Sequence, residues 1–385
     1  MTPSEVGSAS LRSPDYAWPL WPVVPLYPYG RRRTLRTEIV PGTIWTFDQI
    51  QGVFYVVTPI RMTVVKLEAG GLLVYAPVAP TAECIRLVRE LETVHGAVRF
   101  IILPTASGLE HKVFVGPFAR RFPDAQIFVT PNQWSFPFNL PLSWLGLPSG
   151  RTHCLPTDSR DTPFGDEFDY DLLGPIGLGL GTFEEVAFFH RRSQTLLLTD
   201  TLVAIPPEPP PIVQLEPYPL LFHARESACD VVVDTPSTRR KGWERIVLFG
   251  FYFRPGVLDV ADWGATLREA AKASDRSRQA YFGLYPFRWQ TQWQASFAAL
   301  YNEGKPFVAP VLQTLILNRA PQATLDWALR VANWNFHRII PCHFAAPLSV
   351  SPYQFLQAFE FLQGAAQLPA RSQAPSALPE ADLAL

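Results

Sequence analysis

Val98-Arg99-Phe100-Ile101-Ile102-Leu103, running on into Pro104-Thr105-Ala106-Ser107-Gly108-Leu109-Glu110-His111, is the stretch on which the fold turns. Its first six residues are apolar at every position but Arg99, which suits a short buried strand. The loop behind that strand ends in an acid beside a histidine. Upstream, residues 81–95 place Cys84, Leu87, Val88, Leu91 and Val94 at helical spacing, and residues 72–75 read as another strand. The unit is therefore strand, helix, strand. Downstream, residues 112–122 read as a helix stopped by Pro123, and 126–129 as the next strand. Repeated alternation of this kind predicts an α/β sandwich of layered sheets and helices.

Working outward, residues 43–47, 53–58 and 63–68 read as an antiparallel meander, with Gly70-Gly71 turning the chain into the strand at 72–75. Residues 131–181 are rich in Pro, Gly and Asp and read mostly as loop. Strands at 186–189 and 195–199 flank an Arg191-Arg192-Ser193 turn. The stiff run from Pro206 to Pro211 then opens an insertion over 206–323. Its helical patterns at 263–273 and 291–301 stand among aromatics such as Phe249, Phe251, Tyr281, Tyr285, Trp289 and Trp293. A helix at 324–334, a strand at 338–341 and a helix at 352–362 complete the pattern. The expected organisation is a Pro- and aromatic-rich arm (1–36), a sandwich domain in two pieces (37–205 and 324–363) around the insertion, and a disordered tail (364–385).

Composition bounds the function. The chain has 385 residues, 48% of them apolar, enough for a substantial core, and 33 basic against 34 acidic residues. A balanced charge gives no field to draw in nucleic acid. Cys84, Cys154, Cys229 and Cys342 lie far apart without a CxxC pair, so neither a zinc knuckle nor a disulfide framework is read from them. No apolar run reaches the roughly 18 residues of a membrane span; the best, 308–317, is broken by Pro310. In the arm, Arg31-Arg32-Arg33 follow the apolar residues 18–29 instead of preceding them, the reverse of a secretory leader. Cytoplasm, or plastid stroma, is the expected location. The arm itself reads either as aromatics packed onto the body or as a peripheral membrane contact.

Three features stand at the ends of predicted strands, where α/β proteins place their chemistry. They are the loop ending in Glu110-His111, the Leu198-Thr199-Asp200 stretch, and Ile340-Pro341-Cys342-His343. In this order they resemble the metallo-β-lactamase-like superfamily, whose strand-loop-helix motif HxHxDH is followed by a mid-chain histidine, a bridging aspartate and a late histidine. The whole chain is similar to the branch known as domain of unknown function 4336, from photosynthetic organisms. HxHxDH falls on Ala106 to His111. The positions that hold the family's first metal become Ala106, Gly108 and Gly181, and all three have lost their ligands. Those of the second metal become Glu110, His111, Asp200 and His343, which all retain donor atoms. The resemblance implies an αββα sandwich with an inserted aromatic-rich segment and one divalent metal, zinc, iron or manganese.

Two functions stay chiefly open at this point, with a non-hydrolytic role such as redox or oxygen chemistry at one iron as a third. One is a mononuclear metal-dependent hydrolase working from the second-metal half-site, with catalytic residues beyond the ligands unassigned. The other is a catalytically silent scaffold that holds a small-molecule ligand or a protein partner through its aromatic insertion. The long span between Asp200 and His343 places that insertion as a lid over the site or as a second small core.

Overall fold

The structure is a computed structural model that describes residues 14–23, 25–106, 111–133, 141–179, 181–252 and 255–366. It divides into two compact units, one built from the chain up to Gln51 with Pro59–Val203 and the segment from Pro306, the other from Gly52–Thr58 with Ala204–Lys305.

The first unit holds two sheets. One runs in chain order through β1 (Leu35–Val40), β2 (Ile44–Val53), β3 (Val56–Lys66), β4 (Leu72–Tyr75), β5 (Val98–Leu103), β6 (Gln126–Val129) and β7 (Thr152–Cys154). Its first strands pair antiparallel and β4 to β7 pair parallel, because the crossover helix Ala82–His95 carries the chain back between β4 and β5. Thr81 caps that helix by accepting the Cys84 N–H. The second sheet contains β8 (Phe168–Gly177), β9 (Thr182–His190), β10 (Thr195–Leu198), β13 (Arg338–Pro341) and β14 (Leu348–Ser349), in the order β14-β13-β10-β9-β8; β11 (Leu258–Val260) and β12 (Phe287–Trp289) belong to the second unit.

Period-two alternation sorts the side chains into layers. Leu73, Tyr75 and Phe100 of the first sheet pack with Phe168, Phe188 and Leu197 of the second, forming the layer between the sheets. Leu72, Val74 and Ile101 turn the other way, onto Cys84, Val88, Phe114 and Phe118 of the helices on that face. Behind the second sheet, Phe189, Leu196 and Ile339 pack on Trp327, Val331 and Phe355. Helix, sheet, sheet, helix is the αββα order that the resemblance implies. From the arm, Trp18 is buried edge-on against Phe114 at 5.3 Å, and Arg32 donates to the Ile50 carbonyl at 2.8 Å, so these residues pack on this unit.

Five local readings are corrected, the first being that the strands expected at 53–58 and 63–68 fall largely in one, β3. Residues 168–177, read as loop, form the ten-residue β8, whose alternating Phe168 and Tyr170 are buried while Asp169 and Asp171 between them pair with Arg191 and Arg330. Charged partners outside the sheet hid a strand behind its aspartates. The long helix Pro236–Tyr252 was not anticipated, because Arg239, Arg240, Lys241 and Glu244 dominate its first turns. Residues 306–323, assigned to the insertion, belong with the first unit, where Phe307 pairs with Val203 and Leu317 joins the core. The helix expected at 352–362 is two short helices, Pro352–Gln357 and Phe361–Ala366. The tail beyond 366 lies outside the described residues.

The second unit is a helical cluster with the small β11–β12 ribbon. Its Pro236–Tyr252 helix lies against Tyr218–His223 so closely that a Cβ on Gly242 would stand 1.8 Å from the Leu220 carbonyl oxygen. Arg245 is buried beneath Trp289 and Trp293, 5.0 and 4.7 Å from their ring centres, and donates to the Arg225 carbonyl. The aromatic insertion thus has its own core.

Candidate metal centre

His111, Asp200 and His343 meet at one end of the first unit. His111 leads the helix Lys112–Ala119 after β5, Asp200 follows β10, and His343 follows β13, which runs parallel to β10 with Leu198 opposite Pro341. The two imidazole centres are 6.4 Å apart, about 1 Å farther than two rings bonded to one ion at tetrahedral angles would stand. Glu110, the fourth expected ligand, lies outside the described residues, as does Gly108 of the lost half.

Both rings are oriented by backbone. His111 Nδ1 stands 3.1 Å from the Pro77 carbonyl oxygen and His343 Nδ1 3.0 Å from that of Pro59. An Nδ1–H donated to each carbonyl leaves Nε2 to face the centre, the way a second shell orients a metal-binding histidine. His111 Nε2 is buried and has no hydrogen-bond partner among the described residues. Burial, and after it the charge of His343, push the His111 pKa down to about 4, so this imidazole is neutral and offers a lone pair near pH 7. His343 Nε2 lies 3.0 Å from Asp200 Oδ1. Both His343 nitrogens face acceptors, Nδ1 the Pro59 carbonyl and Nε2 the Asp200 carboxylate. Burial raises the Asp200 pKa, but the His343 hydrogen bond and the charges of His343 and His111 outweigh it and hold the carboxyl below its usual value.

Several supporting residues were not singled out from the sequence. Glu185 of β9 is fully buried and carries the Asp200 turn: its oxygens accept the Thr199 N–H at 2.8 Å, the Asp200 N–H at 3.1 Å, the Thr201 N–H at 3.0 Å and the Thr201 hydroxyl at 2.9 Å. Burial first, then the neighbouring Asp200 charge, raise the Glu185 pKa against the pull of those donors. Arg61 of β3 does the corresponding work for His343. It donates to the Pro341 and Phe344 carbonyls at 2.7 and 3.0 Å, pairs with Asp48 at 2.8 Å, and so pins the turn in which Phe344 takes φ 55°. The available signal was a charge inside an apolar run, since Glu185 and Arg61 each interrupt a strand that is otherwise buried.

On the side of the lost ligands, Ala106 is buried and Lys112 Nζ donates to its carbonyl at 3.0 Å. An ammonium group therefore stands beside Ala106. Other histidines serve the packing: His190 Nδ1 meets Ser193 Oγ at 2.7 Å, His223 Nε2 meets the Phe54 carbonyl at 3.3 Å, and His95 packs on Trp45. Among the described residues, no group of three or more His, Cys, Asp or Glu is drawn together tightly enough to stand as a metal site. His111 is the member set apart; Asp200 and His343 are already in contact. The second unit has a cleft of about 690 Å³ beside Arg240, Lys241, Glu244 and Trp293, whose cations are paired with Glu208 and Glu226. No helix of the described residues is long and apolar enough to cross a membrane.

A family model described as domain of unknown function DUF4336 matches residues 41–361. Curated proteins yield no match. Among solved structures, the chain is similar to a mutant of a flavo di-iron protein from Thermotoga maritima, at 9% identity and TM-score 0.41 over 85% of this chain and 62% of that one. It is also similar to a metallo-β-lactamase from Pontibacter korlensis, at 11% identity and TM-score 0.39 over 85% of this chain and 99% of that one. A fragment of a diflavin flavoprotein from a Nostoc species gives 10% identity and TM-score 0.42 over 88% and 99%. Likenesses this distant say nothing about activity.

Proposed function

The chain belongs to the DUF4336 family, and on that premise we propose that it binds one divalent cation through His111, Asp200 and His343 and acts as a mononuclear metal-dependent hydrolase. The observation that carries the proposal is His111 Nε2, a buried, neutral nitrogen without a hydrogen-bond partner among the described residues, on a ring oriented by the Pro77 carbonyl. A buried polar atom without a partner costs about 1–3 kcal/mol, and a metal bond removes that penalty. His343 Nε2 and Asp200 Oδ1 are near neighbours: bonds of about 2.0–2.2 Å at tetrahedral angles put two donors roughly 3.3–3.6 Å apart, a little more than the 3.0 Å found. Glu110 stands next in sequence to His111 and is proposed as the fourth donor. Zinc, iron and manganese all suit two imidazoles with carboxylate.

When bound, the cation supplies a Lewis acid and lowers the pKa of a coordinated water. The chain's own groups do the rest. Glu185 fixes the Asp200 backbone, Arg61 fixes the His343 turn, and Lys112 supplies a positive charge beside Ala106 for an anionic group of the substrate.

A silent scaffold is the second reading, and one observation favours it: His343 already pairs with Asp200 without any metal. Thermal unfolding of wild type and His343→Ala, each with and without chelator, separates the two. A metal site makes only the wild type chelator-sensitive, by about 2.7 kcal/mol when the cation is present at about 100 times its Kd. A melting temperature indifferent to chelator in both proteins favours the scaffold.

A further inference from the structure

The second unit presents aromatic and aliphatic side chains to solvent in one neighbourhood. On the helix Trp263–Ala270, Thr266 and Ala270 face inward while Trp263 and Leu267, one turn apart, are 73% and 59% exposed. The turn Tyr281–Gly283 lies against the end of this helix, since a Cβ on Gly283 would meet Ala273 Cβ at 2.7 Å and the Ala270 carbonyl at 3.0 Å. That turn holds Phe282 64% exposed at φ 59°, ψ 25°, a left-handed conformation in which a bulky residue is an outlier. Beside it, 5.8 Å from the Tyr281 ring, is Phe54, also 64% exposed and at φ 48°. Two turns thus hold phenyl rings outward in a backbone conformation that disfavours them, an expense that proteins retain mainly at functional sites.

Four cations stand near these rings, among the acids Asp262, Glu269 and Asp275. Arg268 and Lys272 continue the exposed arc of the helix, and Arg276 and Arg278 flank the Ser277–Phe282 hydrogen bond that closes the turn. None of the four forms an ion pair among the described residues, whereas Arg239, Arg240, Lys241 and Arg288 of the same unit each hold a carboxylate. Nearby acids are otherwise engaged: Asp262 caps the helix by accepting the Ala265 N–H, Glu269 pairs with Arg288, and Asp275 accepts the Ser277 N–H. Exposed Trp, Leu and Phe within a border of unpaired cations match an interfacial membrane contact, with rings entering the headgroup boundary and cations meeting anionic lipid.

We propose that Trp263, Leu267, Phe282 and Phe54 form a platform by which this unit binds the surface of an anionic lipid bilayer. Each basic residue held near an anionic surface adds about fivefold to the partition coefficient, so attachment should depend on lipid charge and on salt.

The test is flotation of the full chain with phosphatidylcholine vesicles containing either no anionic lipid or about one-third phosphatidylglycerol. We expect binding to the anionic vesicles at least about tenfold stronger than to the neutral ones, and weaker as salt rises. Trp263→Ser combined with Phe282→Ser should abolish it, and Arg268→Glu with Lys272→Glu should reduce it severalfold. Val94→Ser, which removes a comparably exposed apolar residue from the first unit, should change nothing. All of these positions are exposed, so the variants should fold; an unchanged melting temperature checks this. Equal or absent binding to the two vesicles, or binding that survives Trp263→Ser with Phe282→Ser, would overturn the proposal. So would light scattering showing a dimer that the same double substitution dissociates, because the platform would then join two copies of the chain.

Discussion

Glu185→Gln is nearly isosteric, yet it should damage the site from below. One carboxylate oxygen accepts the Thr199 N–H and the Thr201 hydroxyl; the other accepts the Asp200 and Thr201 N–H groups. A glutamine must turn its NH2 toward one of these pairs. Turned toward Thr199 and Thr201 Oγ1, it leaves the Thr199 N–H without an acceptor, while the hydroxyl rotates to accept; turned the other way, it strands two N–H groups. The better orientation leaves one buried donor unpaired, about 1–3 kcal/mol, and weakens the remaining bonds by removing the charge that assists them. The loss should therefore be about 2–4 kcal/mol, reduced somewhat by relief of the Glu185–Asp200 repulsion. Urea unfolding at about pH 7.5 measures it as a shift in midpoint at constant slope. A loss under about 0.5 kcal/mol would refute the view that Glu185 holds the Asp200 turn.

Acid should destabilise the metal-free protein well above the carboxylate range. Burial is the leading cause that lowers His111 and His190 to about 4 and His223 to about 3, against an ordinary 6.5. Because their folded pKa values are depressed, the stability linked to these neutral rings is complete above pH 6.5 and drains away as pH falls toward 4. Near pH 5 the loss is about 2 kcal/mol for each ring, and urea midpoints at about pH 7 and 5 read the sum; equal midpoints would contradict it. Glu185, raised instead of lowered, works with the opposite sign, losing its contribution as pH rises. In the second unit, Gly242→Ala should cost about 2–3 kcal/mol by driving a methyl into the Leu220 carbonyl, and an unchanged melting temperature would contradict the close helix contact.

Much of the first unit was legible because its signals are local. The run at 98–103 and the helical spacing at 81–95 each report a single element packed against one face, and β5 and the helix Ala82–His95 follow them. β8 was not legible, because Asp169 and Asp171 look like loop until Arg191 and Arg330, far along the chain, supply their partners. The site shows the same division. His111, Asp200 and His343 stand at strand ends, and that is visible from hydropathy. The residues that hold them, Glu185, Arg61 and the Pro59 and Pro77 carbonyls, act across long sequence separations, and carbonyl orientation has no signature in side-chain identity. Lys112, adjacent to His111, reads from the sequence as a surface helix residue; only the packing shows its ammonium turned back to Ala106.

The central claim is that His111, Asp200 and His343 hold one cation. Metal content, measured by plasma mass spectrometry on wild type and His111→Ala purified side by side without added metal, tests it most directly. The account predicts about one equivalent of a single divalent metal in the wild type and a clear loss in His111→Ala, whose missing Nε2 is a donor that no other described residue engages. No metal in the wild type, two equivalents, or one equivalent that persists in His111→Ala would contradict it.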